Sequence, residues 1–266
     1  MQKGAHNMDL KFDHIIHYID QLEQFKFPGE VVKLNSGGKH HKFGTFNKLS
    51  YINENYIEFL DVEDQEKLQK LAKTEEGRVS FATKIAQDNF KQGFKTICLR
   101  TSNIDAIKQT LEERNIDVIG PVNMERETKK GEKITWRLLY IADPSYMVKP
   151  PFFIQWDQGD ANRHEQLKSL YQTQFSIDMI MVSSSKRAQT VNNWQNWFDM
   201  EIVEETEKYT DLILKEDQIY FRIEDGKQSG YHTVVLKDTE ATAPYSLYIR
   251  GCLLYTSDAA DDSLRV

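Results

Sequence analysis

Apolar and polar positions alternate along much of the chain with the period of two that is typical of β-strands. The first such segment covers residues 12–19 and reads FDHIIHYI, which is rich in aromatic and β-branched side chains. Two more strands are predicted at 45–52 and 56–62, and the three residues between them indicate a hairpin. A short strand at 31–34 and a turn-prone stretch at 35–38 precede that hairpin.

Helical periodicity separates several of these strands. It covers much of residues 63–91 and is clear at 103–115, where Ile104, Ile107 and Leu111 share one face. The second half of the chain repeats the order of the first, so the pattern indicates a structural repeat. The remaining predicted strands are 96–100, 118–122, 134–141, 152–156, 175–182, 201–205, 210–214, 218–223, 231–236 and 246–249, and the remaining predicted helices are 163–174 and 186–198.

Composition excludes several classes of partner. The net charge of −7 gives no electrostatic reason to bind nucleic acid or an anionic membrane. No apolar run approaches the length of a membrane span, and the N-terminus lacks the apolar core of a signal peptide. The two cysteines, Cys98 and Cys252, form no CxxC pair, which argues against a thiolate zinc site and a disulfide framework. We therefore expect a cytoplasmic protein.

The N-terminal segment lies outside the alternating pattern. Residues 1–8 show neither helical nor strand periodicity, and we expect a non-native or disordered leader. The codons for Gln2–Ala5 can contain a ribosome-binding sequence, which makes Met8 the expected biological start.

The C-terminal segment raises the same question. The stretch from Cys252 to Asp262 can be encoded by DNA that resembles a transposase adapter of sequencing libraries. We therefore expect residues 252–266 to be a non-native tail that makes few core contacts, with the native end absent beyond about Gly251. A genuine polar tail is the alternative.

Three motifs in the first half occur in a fixed order. Asp13-His14-Ile15 opens the first strand, Gly37-Gly38-Lys39-His40 precedes Gly44-Thr45-Phe46-Asn47, and Tyr56–Leu60 reads YIEFL. Together they resemble the glyoxalase-like-domain branch of the vicinal-oxygen-chelate superfamily, with its GGxH…GTxN pattern and its YLELL strand. The segments at 136–138 and 151–157 fit the same branch, and the resemblance covers about residues 10–160.

The resemblance implies an α+β fold in which paired βαβββ modules form curved mixed sheets around a cup. Residues 9–160 would be the paired-module domain, 161–174 a linker helix, and 175–251 a third, partial module. The cup would bind a small molecule, and a homodimer is one expected assembly.

In metal-dependent members of the superfamily, the ligands come from the first and last strands of each module. Carried over to this chain, those positions are His14 and Glu58 in the first module and Thr96 and Gln155 in the second. Thr96 departs from the pattern, where His, Gln or Glu is expected. An imidazole and a carboxylate suit zinc, nickel, manganese or ferrous iron. The alternative is that His14 and Glu58 hydrogen-bond to each other or to Arg137 in a polar cup without a metal.

The remaining candidates are polar residues expected around the cup. Glu58 and His40 are the catalytic candidates, with His40 placed on a glycine-rich lid as an acid or base. Asn47 and Arg137 occupy corresponding strand positions in the two modules and are expected to form one polar wall. Arg137 would clamp an anionic group, and Gln155 would hydrogen-bond to the ligand.

Three functional hypotheses follow. The first is a divalent-metal-dependent lyase, isomerase or dioxygenase that acts on a small oxygen-rich molecule. The second is a metal-free protein that binds such a molecule in the same cup. The third is a structural module whose cup is filled by aromatic side chains such as Tyr18, Tyr56 and Trp136.

Overall fold

The structure is a computed structural model that describes residues 8–26, 32–128 and 130–258. The expected leader, residues 1–8, lies outside the described residues except for Met8. The helices are α1 (Gln65–Leu71), α2 (Thr83–Gln87), α3 (Ile104–Glu113), α4 (Asp160–Leu167) and α5 (Arg187–Phe198), with 3₁₀ turns at Gly77–Val79 and Lys168–Leu170. The strands are β1 (Lys11–Tyr18), β2 (Asn35–His40), β3 (Thr45–Ile52), β4 (Asn55–Val62), β5 (Gly93–Arg100), β6 (Val118–Glu127), β7 (Lys133–Ile141), β8 (Phe152–Trp156), β9 (Phe175–Ser184), β10 (Glu201–Glu205), β11 (Tyr209–Ile213), β12 (Tyr220–Asp225), β13 (Gly230–Asp238), β14 (Tyr245–Ile249) and β15 (Cys252–Asp258).

The first eight strands close into a barrel in the order β1-β4-β3-β2-β6-β7-β8-β5. Strand β1 pairs in parallel with β4, β5 pairs in parallel with β8, and β1 and β5 pair antiparallel. Each half of the barrel is therefore one module with the same strand pairing. The predicted α+β fold of paired modules is confirmed.

The remaining strands form a second sheet in the order β10-β11-β12-β9-β13-β15-β14. Strand β9 pairs in parallel with β12 and antiparallel with β13, which repeats the arrangement of β1 with β4 and β5. The second sheet packs on the outside of the barrel around a shared core. Phe12 contacts Phe221 across this interface, and Phe153 contacts Phe198.

The glycine-rich stretch that was predicted to be a turn is strand β2. Asn35 pairs with Leu49 and Lys39 pairs with Phe46, and a register shift lies between these pairs. A Cβ atom on Gly37 would lie 1.8 Å from Asn47 Oδ1, and one on Gly38 would lie 2.4 Å from a backbone carbonyl oxygen. The glycines therefore serve close packing within a strand, not a turn. The predicted strand at 31–34 is wrong for residues 32–34, and residue 31 lies outside the described residues.

The expectation that residues 252–266 make few core contacts is wrong for residues 252–258. Strand β15 pairs in parallel with β13 and antiparallel with β14. Its alternate side chains Cys252, Leu254 and Thr256 are buried, because they face the core with the period of a strand. Residues 259–266 lie outside the described residues.

The segment between β4 and β5 enters the interior of the barrel. Val79, Phe81 and Ile85 from this segment pack with Tyr18 and Leu138 in the interior core. Part of the predicted cup is therefore filled by the chain itself. Within the described part of the chain, none of the helices has both the length and the apolar character that crossing a membrane requires.

Candidate functional site

A bulge in β1 brings two consecutive polar residues to the barrel interior. Phe12 pairs with Leu99 and His14 pairs with Cys98, so Asp13 is an extra residue between the two pairs. Both Asp13 and His14 are buried, and Nδ1 of His14 lies 2.7 Å from Oδ1 of Asp13. The other oxygen of Asp13 accepts a hydrogen bond of 3.1 Å from the indole N–H of Trp156.

Glu58 on β4 faces the other nitrogen of the same imidazole. Nε2 of His14 lies 3.3 Å from Oε2 of Glu58. The second oxygen of Glu58 accepts a hydrogen bond of 2.7 Å from the side-chain amide of Asn47 on β3. Oδ1 of Asn47 accepts one of 2.8 Å from the backbone N–H of Gly38. A continuous hydrogen-bonded chain thus runs from β1 through β4 and β3 to β2.

The pKa values of the three ionisable groups are coupled through these contacts. Burial by itself raises the pKa of Asp13 and of Glu58, but contact with His14 outweighs it. The pKa of Asp13 falls, and that of Glu58 falls from 4.5 to about 2. Burial by itself lowers the pKa of His14, but the hydrogen bonds to Asp13 and Glu58 outweigh it and raise that pKa. The stable form is an imidazolium between two carboxylates.

The walls of the site leave a cavity of about 20 Å³, which has room for about one water molecule. Tyr56 stacks on His14 with ring centroids 4.5 Å apart. Phe81 and Trp136 meet the ring of His40 edge-on. The cavity is lined by His14, His40, Asn47, Tyr56, Glu58, Phe81, Arg126, Trp136, Leu138, Phe152, Ile154 and Trp156.

His40 is the last residue of β2 and is buried, so its predicted place on a glycine-rich lid is wrong. Its Nδ1 lies 3.1 Å from the hydroxyl oxygen of Thr45. Burial lowers the pKa of His40 to about 4, so the imidazole is neutral at physiological pH. The neighbouring His41 is exposed.

The predicted cup positions of Arg137 and Gln155 are wrong. Arg137 donates to Asp105 at 2.8 Å and to Oε1 of Gln155 at 2.9 Å, and that oxygen also accepts from the backbone N–H of Ile104. Both side chains therefore lie outside the barrel and hold the N-terminus of α3. Arg137 lies between Trp136 and Leu138, whose side chains face the interior, and alternation along the strand directs it outward.

The second module lacks the ligands that were expected from the first. A twofold axis through the Ile15–Ile97 pair relates His14 to Thr96 and Ile16 to Cys98. Since Ile16 pairs with Glu58 and Cys98 with Phe152, the counterpart of Glu58 is Phe152, not Gln155. The hydroxyl of Thr96 donates to the carbonyl of Pro150 at 3.0 Å.

A resident metal ion does not fit the residues of this site well. His14 and Glu58 could each offer one ligand atom, but their counterparts Thr96 and Phe152 complete no ligand set. Among the described residues, the one group of three potential ligands within reach of a common ion is Asp13, His14 and Cys98. Asp13 and His14 are already bound to each other, and burial raises the pKa of the Cys98 thiol well above its usual value. Metal sites in enzymes usually have three protein ligands in reach of the ion.

Three charged residues of the site were not predicted from the sequence. Asp13 reaches the interior through a bulge that alternation cannot reveal. Arg163 on α4 lies with its guanidinium carbon 3.8 Å from the ring centroid of Trp156. Arg126 on β6 could have been found, because it falls in phase with Met124, whose side chain faces the interior.

Comparison with known proteins places this site in a family. The family model described as a glyoxalase-like domain matches residues 12–198. No match was found among curated proteins. A hypothetical protein from Staphylococcus aureus is 59% identical, with 94% of this chain and 99% of that chain covered and a TM-score of 0.92.

Two more distant structures share the fold. The Mn(II)-bound glyoxalase from Novosphingobium aromaticivorans is 9% identical, covers 94% of this chain and 82% of its own, and has a TM-score of 0.54. Homoprotocatechuate 2,3-dioxygenase from Arthrobacter globiformis is 11% identical, covers 97% of this chain and 83% of its own, and has a TM-score of 0.55. The chain belongs to the glyoxalase-like domain family of the vicinal-oxygen-chelate superfamily.

Proposed function

We propose that this chain is a small-molecule-binding protein of the glyoxalase-like family that binds an oxygen-rich ligand against Glu58, His14 and His40 without a resident metal. The observation that carries the proposal is the hydrogen-bonded row Asp13–His14–Glu58, buried beside a cavity inside the barrel. A buried row of ionised groups costs free energy, so a role in binding explains its presence better than stability does. Ligand oxygens would replace the water that the cavity can hold.

The protonation states favour binding over acid–base catalysis. An efficient general base has a pKa near the working pH. The pKa of Glu58 is lowered to about 2 and that of His40 to about 4, so both are weak bases at neutral pH. His14 is held between two carboxylates and has no free nitrogen to offer.

A second candidate is a divalent-metal-dependent lyase, isomerase or dioxygenase with His14 and Glu58 as metal ligands. Asp13 on Nδ1 of His14 favours it, because histidine ligands usually donate their other N–H to a carboxylate. The relatives named as a Mn(II)-bound glyoxalase and a dioxygenase share the fold, and they make this candidate worth testing beside the first.

A thermal-shift screen separates the two candidates. The protein is mixed with small hydroxy acids, oxo acids and catechols, each with a chelator or with a divalent metal. We expect at least one compound to raise the melting temperature in chelator, because binding to the folded state stabilises it. Glu58→Gln should abolish that rise, and Glu125→Gln, an exposed change in the same barrel, should preserve it. Stabilisation that requires an added metal would contradict the proposal and support the second candidate.

A further inference from the structure

Arg126 is a buried arginine without an ion-pair partner in the described part of the chain. It is 7% exposed, and its Nε has no hydrogen-bond partner among the described residues. Among residues 8–26, 32–128 and 130–258, no carboxylate forms an ion pair with its guanidinium. Arg222, which is also buried on a strand, differs from Arg126 in having a carboxylate partner. It donates two hydrogen bonds to Asp211, at 2.8 and 2.7 Å.

The position of Arg126 directs this unpaired charge to the candidate site. Arg126 lines the same cavity as Glu58, His14 and His40. Glu58 forms no ion pair with Arg126, and its two oxygens instead accept from Asn47 and face His14. The cationic wall of the cavity is therefore free for a group brought by a ligand.

A buried charge without a partner destabilises a protein by several kcal/mol in typical cases, so its presence calls for an occupant. We propose that Arg126 binds the carboxylate of a short monoanionic hydroxy acid, whose hydroxyl group donates a hydrogen bond to Glu58. The inference rests on the proposed function, since it requires that the cavity holds a ligand. It names the chemical class of that ligand and gives Arg126 the anion-binding role that the sequence suggested for Arg137.

The chemistry of the site favours a carboxylate over a phosphate. A planar carboxylate matches the planar guanidinium and accepts two parallel hydrogen bonds from it. A phosphate dianion would bring two negative charges beside the ionised Glu58, whereas a carboxylate brings one. Like charges at such short range repel strongly in a buried site.

A groove of about 360 Å³ lies on the outer face of β2 and β3, next to the cavity. Asn47 lines both the groove and the cavity, and Gly38, which donates to Asn47, also lines the groove. Lys39 and Lys48 line the groove, but each is ion-paired with a glutamate. The anion-binding role in the proposal therefore belongs to Arg126.

The test compares glycolate with glycolamide, which is its neutral amide, and with inorganic phosphate. Calorimetric titration of the wild type should show glycolate binding about tenfold tighter or more than glycolamide, the ratio expected for one charge-assisted hydrogen-bonded pair. Arg126→Met should abolish this preference. It should also raise the melting temperature of the free protein, because a charge without a partner is removed. Arg222→Met, the matched control, should lower the melting temperature because it leaves Asp211 unpaired.

Each alternative outcome has a definite meaning. Equal binding of glycolate and glycolamide, unchanged in Arg126→Met, overturns the inference and leaves the proposed function standing. Binding of phosphate in preference to glycolate overturns the choice of a carboxylate. An Arg126→Met protein that unfolds or loses stability shows a structural role and also overturns the inference. Binding of none of the three probes to the wild type overturns the inference, whereas the proposed function fails only if no compound of the thermal-shift screen binds.

Discussion

Asp13, His14 and Glu58 form a row of alternating charge in which one imidazolium is shared by two carboxylates. Neither carboxylate would stay ionised at this depth alone, because burial raises the pKa of each. His14 reverses that shift for both, so the row depends on its central residue. Loss of either carboxylate should therefore lower the pKa of His14.

The first prediction at the residue scale concerns the pH dependence of stability in Glu58→Gln. The contribution of ionised Glu58 is fully present above its unfolded-state pKa of 4.5 and is lost as the pH falls through about 2. The contribution of His14 has the opposite sign. It is fully present below 6.5 and is lost as the pH rises through its raised pKa.

We therefore expect Glu58→Gln to reduce the free energy of unfolding by about 3 kcal/mol between pH 4.5 and 6.5. The difference from wild type should shrink toward both lower and higher pH. Urea denaturation over a series of pH values measures it, with Glu125→Gln as the exposed control. A difference that does not vary with pH would contradict the ion-pair account.

The element that fixes the site is β2, whose two glycines allow β3 and β6 to approach it closely. Gly38 donates to Asn47, which in turn orients Glu58. The space for a Cβ atom on Gly38 is occupied by the carbonyl oxygen of Glu127 at 2.4 Å. The backbone of β6 cannot yield without losing its pairing with β2.

Gly38→Ala should destabilise the protein by about 1–3 kcal/mol, the usual cost of overpacking. It should also weaken ligand binding, because β2 would move away from Asn47. Chemical denaturation and the calorimetric titration measure the two effects. Ser36→Ala, an exposed change on the same strand, is the control and should alter neither quantity. Wild-type stability and affinity in Gly38→Ala would show that β2 does not position the site.

Most strands could be predicted from the sequence, but β2 and β15 could not, and neither could the register of the strands. Alternation located β1, β3, β4 and β7 closely, because apolar residues there face a core with period two. The match of Glu58 to Gln155 was wrong by three residues, since the counterpart set by pairing is Phe152. The predicted inward position of Arg137 was wrong by one residue. A shift of one residue moves a side chain to the other face of a strand. The bulge at Asp13 has no sequence signal of its own.

At the scale of the whole molecule, the segment between β4 and β5 fills part of the barrel interior. Phe81 from this segment is buried, stacks on Phe152 and meets the edge of His40. Aromatic side chains thus fill part of the interior, as the filled-cup hypothesis expected. The expected Tyr18 and Trp136 are among them, and Phe81 and Ile85 from this segment fill the interior with them. The polar row occupies what remains.

Phe81→Ala should enlarge the cavity and destabilise the protein by about 3–5 kcal/mol. Water entering beside His40 should raise its pKa from about 4 toward 6.5, because desolvation is the main cause of the shift. Histidine NMR titration measures this change. Phe198→Ala removes a buried ring from α5, which packs on the second sheet, and should destabilise the protein without moving that pKa. An unchanged pKa in Phe81→Ala would show that this residue does not seal the site.

The central claim is that the Asp13–His14–Glu58 row is a ligand site without a resident metal. Its most direct test is elemental analysis of the wild type, His14→Ala and Glu58→Gln after incubation with zinc, nickel, manganese or ferrous iron and removal of the excess. The account predicts no stoichiometric metal in any of the three proteins. One metal ion per wild-type chain that both substitutions remove would contradict it and would identify His14 and Glu58 as metal ligands.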